Sequence, residues 1–169
     1  MALASLQLTM NISGRDKVYV AALPFRATTE PFQSVTSALH ALHLWDLQHF
    51  VVIIKTSSPP SNSKASLFHF QPEDPQNLFA LALAALPGGS IPGTLLRRKL
   101  TRLPKQRCWF VGYSEEDSLD IVLKINDTWE TDWRMGIHDC RNYANKLVER
   151  LTGEKYVLER LRRCTGWLI

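Results

Sequence analysis

The stretch MGIHDCRNYANKLVERLTGE, residues 135–154, sets the reading of the whole chain. Asp139 is a strong helix N-cap, because its carboxylate can accept the unpaired N–H groups of a first turn. Cys140 then becomes the first helical residue. Tyr143, Ala144, Leu147, Val148 and Leu151 follow at intervals of three and four, the spacing of one buried helical face. Cys140 falls on that face and is expected to point at a sheet. A helix N-terminus carries partial positive charge and free N–H groups, which favour a thiolate and can hold an oxyanion. The competing reading is plain: a cysteine on an apolar helical face is commonly a small core hydrophobe.

A thiol catalyst needs an imidazole base and a polar group that orients it. The chain has five histidines. His40 and His43 sit on an expected helix and read as solvent-facing or boundary residues. His138 lies two positions before Cys140, and its direction depends on the turn that precedes the helix. His49 opens the apolar run HFVVIIKT (49–56), where a polar residue needs a reason. His69 is the centre of LFHFQ (67–71). Paired as a hairpin, these two segments would bring His49 and His69 together on one face, one as base and the other holding its tautomer. Packing the Cys140 helix on that same face would complete a site.

Outward from these segments the pattern is mixed. Alternation over residues 6–12 and the run KVYVAAL (17–23) predict an N-terminal hairpin rather than a cleaved leader. Residues 29–45 predict a helix. SSPPSNSKAS (57–66) predicts a polar loop, and a helix is expected to enter at Pro75 and run through LFALALAAL (78–86). PGGSIPG (87–93) reads as a breaker-rich loop, and RCWFVGYS (107–114) as a strand. Residues 115–130 predict a helix capped by Ser118, and a last helix is expected over about 154–163. These elements describe one α+β domain over residues 1–169, an antiparallel sheet packed against a cysteine-bearing helix.

Composition narrows the classes further. The chain has 169 residues, 45% of them apolar and 21% charged, as in an ordinary globular domain. The net charge of +4 is mild, and the basic stretches 95–107 and 159–164 read as solvated faces. No nucleic-acid signature accompanies them. Three cysteines, Cys108, Cys140 and Cys164, form no CxxC pair and imply neither a disulfide framework nor a metal site, and no cofactor is called for. A reducing, cytoplasmic setting is the expectation, with no transmembrane segment, since 78–86 is too short to span a bilayer.

A strand opening HFVVI, a strand carrying FHF and a later HDCRNYANKLVERLTG together resemble the circularly permuted papain-like superfamily. That group includes lecithin:retinol acyltransferase-like and PPPDE-type proteins and is related to NlpC-type peptidases. In its permuted order the histidine precedes the cysteine, here by 91 residues. The resemblance implies Cys140 as nucleophile, His49 as base and His69 as the orienting residue, in a hydrolase or acyltransferase acting on an amide, ester or thioester. Peptides, protein modifiers or lipid acyl groups are the substrates it implies. Asp139 stands where the lecithin:retinol acyltransferase-like members often have asparagine, so their lipid substrate is not transferred. The alternative is a non-catalytic interaction module on the same fold, offering the basic segments and Trp45, Trp109, Trp129, Trp133 and Trp167 as a surface.

Overall fold

A computed structural model describes residues 15–24, 48–57, 64–114 and 117–165. Six strands, β1 (Lys17–Leu23), β2 (His49–Lys55), β3 (Ala65–Pro72), β4 (Ile91–Leu100), β5 (Cys108–Tyr113) and β6 (Asp132–Trp133), form one sheet. Its spatial order is β5-β1-β2-β3-β4-β6, and every neighbouring pair runs antiparallel. The described residues also form four helices, numbered in chain order: α1 (Leu78–Ala84), α2 (Ser118–Thr128), α3 (Cys140–Thr152) and α4 (Val157–Thr165). The α+β architecture with a cysteine-bearing helix against an antiparallel sheet is thus realised.

The two faces of the central strands bury different sets of side chains. β2 is buried at every position except Lys55, so its alternation separates two apolar layers rather than core from solvent. Phe50, Val52 and Ile54 join Val18, Val20, Phe68 and Phe70 on one face, with Tyr143, Leu147, Val148 and Leu151 of α3 packed over them. Val51 and Ile53 lie on the other face with Ala21, Ala65 and Leu67. α2 and α4 extend the α3 side through Ile121, Val122, Ile125, Val157 and Leu158.

α3 begins and ends where its sequence dictates. Asp139 and Asn142 form a reciprocal capping box, and Gly153 closes the helix with φ at 77°, a left-handed conformation that glycine adopts without a Cβ penalty. α2 is helical as expected, but Asp117 caps it, accepting from the N–H groups of Leu119 and Asp120. Ser118 instead donates its hydroxyl to the Asp16 carboxylate. α1 likewise starts beyond Pro75, at Leu78, behind the cap Asn77, whose side chain accepts from the Ala80 N–H.

The largest departure is β4. The sequence reads as a loop and a solvated basic stretch there, yet Ile91–Leu100 is a ten-residue strand paired with β3 along its length. Pro92 and Gly93 mark its start rather than exclude it, because the β3 ladder beyond them supplies the pairing that local propensity lacks. Gly93 is required by close approach: a Cβ there would stand 2.6 Å from the Phe70 ring. β6, only two residues long, was also illegible. The expected strand over 6–12 and helix over 29–45 lie outside the described residues, as do His40 and His43, and the described partners of β1 are β2 and β5.

Candidate functional site

His49 is the first residue of β2, and His69 lies within β3. The antiparallel register that sets Ile53 opposite Leu67 brings His69 level with Val51, one diagonal step from His49. The rings meet edge to face with centroids 5.0 Å apart, and His49 Nε2 lies 2.8 Å from His69 Nδ1. One nitrogen must donate and the other accept, so at least one proton and one lone pair are fixed between two buried imidazoles. The expected pairing of these two histidines is therefore present.

Both rings are held neutral. Burial, then the neighbouring His69, lower the His49 pKa to about 3; the Asp139 carboxylate opposes them, and the Arg98 cation adds the smallest lowering. Burial and Arg98 lower His69 to about 4.

Cys140 occupies the first turn of α3 as the sequence predicts, 7% exposed. Its thiol points at the Gln48 carbonyl, 3.9 Å away, and the Phe50 backbone N–H also faces the sulfur. The expectation of a helix-stabilised thiolate is corrected here. Burial first, and the adjacent Asp139 carboxylate second, push the thiol up to about 12, outweighing the Phe50 amide and the Arg141 cation. Asp139 is itself buried, accepting from the Gly136 N–H at 2.7 Å and from the Arg141 guanidinium at 2.9 Å.

The expectation that α3 packs on the histidine face is also corrected. α3 covers the face of Phe50, Val52 and Ile54, and Cys140 belongs to that layer. His49 and His69 line a cavity with Val51 and Leu67, residues of the opposite layer. The physical reason is the period of β2: His49 shares its parity with Val51 and Ile53, whereas α3 selects the bulkier set that starts at Phe50. The thiol and the imidazole pair thus approach one strand start from two sides.

The cavity on the histidine side has a volume of about 300 Å³. Leu23, Val51 and Leu67 give it apolar walls, while Gln71, Gln76 and Arg98 add polar groups. Arg98 stands opposite Leu67 in the ladder, which places it on this face. Sequence reading missed Arg98 because its neighbours Arg97 and Lys99 hide the strand period in a run of basic residues.

His138 takes no part in this pair. Its Nδ1 donates to the Asp132 carbonyl at 2.7 Å, and its ring stacks on Trp129 with centroids 4.6 Å apart. Glu130, Asp132 and His138 do gather ligand-type atoms within 4.8 Å of one another, a grouping made by the β6 turn and invisible in the spacing. Arg134 already pairs with the Asp132 carboxylate at 2.8 Å. Trp133 is buried and Trp129 packs against the core, so neither furnishes an exposed surface. Among the described residues no helix is long and apolar enough to cross a membrane.

No family model, no curated protein and no solved structure matches this chain.

Proposed function

We propose that this chain is a binding module whose ligand site is the cavity beside His49 and His69, a non-catalytic reading that differs from the interaction surface of basic segments and tryptophans offered by the sequence. The observation that carries this reading is the separation of Cys140 from the imidazole pair by the thickness of β2. A thiol nucleophile needs its base within hydrogen-bond reach, and needs a thiolate. Here the Cys140 hydrogen bond goes to a backbone carbonyl, and burial keeps the sulfur protonated. The histidines instead present a polar floor to a cavity of ligand size.

One observation favours the thiol hydrolase or acyltransferase as a second reading. The groups that face the sulfur, the Gln48 carbonyl and the Phe50 N–H, flank His49 in the chain. A rotation of the His49 backbone at this strand start would turn its ring toward the thiol, with Cys140 as nucleophile, His49 as base and His69 as its orienting partner. Peptide, protein-modifier or lipid acyl groups would be the substrates.

One experiment separates the two. The folded protein is incubated with a panel of activated acyl thioesters and esters, and adducts are mapped by mass spectrometry in the native chain, Cys140→Ala and His49→Ala. The binding-module reading expects no Cys140 adduct while the protein stays folded. A stoichiometric adduct on Cys140 that is lost in His49→Ala would establish the thiol enzyme instead.

A further inference from the structure

We propose that the cavity on the His49–His69 side of the sheet takes a small carboxylate with an apolar body, its carboxylate held between the Arg98 guanidinium and the Nε2 edge of His69. This ligand class rests on the binding-module reading and goes beyond it.

The polar half of the site is incomplete without a ligand. His69 is 5% exposed, and its Nε2 is buried with no hydrogen-bond partner among the described residues. A buried polar atom left in that state is destabilising, and an acceptor supplied by a ligand would recover the missing hydrogen bond. The 2.8 Å contact with His49 couples what Nε2 offers to the direction of that hydrogen bond. When His49 Nε2–H donates to His69 Nδ1, the neutral His69 must carry its proton on Nε2, which leaves a donor on a residue that lines the cavity. The two imidazoles then act in series, the first setting the tautomer of the second.

The charge of the ligand follows from the lining. Arg98 makes no ion pair with any described residue, and no acidic side chain is among the described residues that line the cavity. A cationic ligand would meet this guanidinium with nothing to offset it, whereas a carboxylate would pair with it directly. Size and polarity exclude a large or wholly polar anion. A volume of about 300 Å³ lies at the lower end of small-molecule sites. Leu23, Val51, Leu67 and Pro75 form walls that desolvate an apolar body but leave a multiply charged phosphate poorly satisfied.

The test uses benzoate and hexanoate as probes, with benzamide as the neutral isostere and inorganic phosphate as the competing anion. Binding is followed by calorimetry and by the His69 ring ¹⁵N signals. Saturable benzoate or hexanoate binding that shifts the His69 Nε2 resonance is expected. Benzamide should bind about tenfold or more weakly, and Arg98→Gln, an exposed position, should weaken benzoate by a similar factor. The proposal is overturned by any of three results: no saturable carboxylate binding, benzamide binding as well as benzoate, or unchanged affinity in Arg98→Gln. Phosphate binding tighter than both carboxylates would overturn it as well. Loss of carboxylate binding with Cys140 still unacylated removes only this ligand class, whereas His49-dependent acylation of Cys140 removes the reading beneath it.

Discussion

Cys140 and His49 stand against the same strand start from opposite faces of the sheet: the sulfur meets the backbone on either side of His49, while the His49 ring turns away to His69. The two groups therefore lie in different layers along β2. On the α3 face the thiol is buried in the core layer with a long contact to the Gln48 carbonyl. On the far face the imidazole pair meets a cavity.

The first prediction concerns thiol reactivity. Cys164 is exposed, Cys108 is half-buried with its pKa raised by burial, and Cys140 is buried with its thiol near 12. Alkylation by iodoacetamide at pH 8 should therefore proceed in the order Cys164, Cys108, Cys140, with Cys140 modified only on unfolding. Modification of Cys140 at the rate of Cys164, read by peptide mass spectrometry, would contradict its placement.

Acid sensitivity follows from the histidine pair. Both folded pKa values lie below the ordinary histidine value of 6.5, at about 3 and about 4. A lowered folded pKa means that the unfolded chain binds protons first as pH falls. The stabilisation is therefore full above 6.5 and is lost as pH drops toward 4. At pH 5 the loss should be about 2 kcal/mol per histidine, as an order of magnitude. Urea titrations at pH 7.5 and pH 5 measure it, and His69→Gln should remove about half of the difference, because His49 stays buried. Equal stability at both pH values would mean that these rings are solvated.

Much of this arrangement was legible in the sequence, and the exceptions have a common cause. Asp139 as cap, the stripe from Tyr143 to Leu151, and the neighbourhood of His49 and His69 all follow from local chemistry or from a single hairpin pairing. What stayed hidden depends on contacts between distant segments. β4 is held as a strand by its ladder with β3, although Pro92, Gly93 and the run Arg97–Lys99 argue locally for a loop. The side on which α3 packs was hidden for a different reason. β2 is apolar on both faces, so its pattern shows that both are covered but not by what. Arg98 entered the site only through the β3–β4 register.

Gly93→Ala tests that register. The added methyl would meet the Phe70 ring at 2.6 Å and the Trp133 Cβ at 3.0 Å. Phe70 cannot swing aside, because Trp129, His138 and Tyr143 surround its ring. Overpacking of this kind costs about 1–3 kcal/mol, so the urea midpoint should fall accordingly. A neutral substitution would show that β4 does not cross Phe70 at this point.

Asp139 joins the two faces, and its variants separate geometry from charge. Its carboxylate caps α3, accepts from Gly136 and Arg141, raises the Cys140 pKa and opposes the lowering at His49. Asp139→Ala removes the cap and leaves the Arg141 guanidinium without its carboxylate, a loss of about 2 kcal/mol. Asparagine is as good an N-cap as aspartate, so Asp139→Asn should cost about half as much or less. It should also move the Cys140 pKa downward, because the repulsion between carboxylate and thiolate is gone while burial remains. Denaturant titration gives the first comparison, and thiolate absorbance at 240 nm gives the second. If Asp139→Asn costs as much as alanine, the ion pair with Arg141 rather than the cap holds the helix start. If the thiol does not move, burial alone keeps Cys140 protonated and Asp139 serves only the fold.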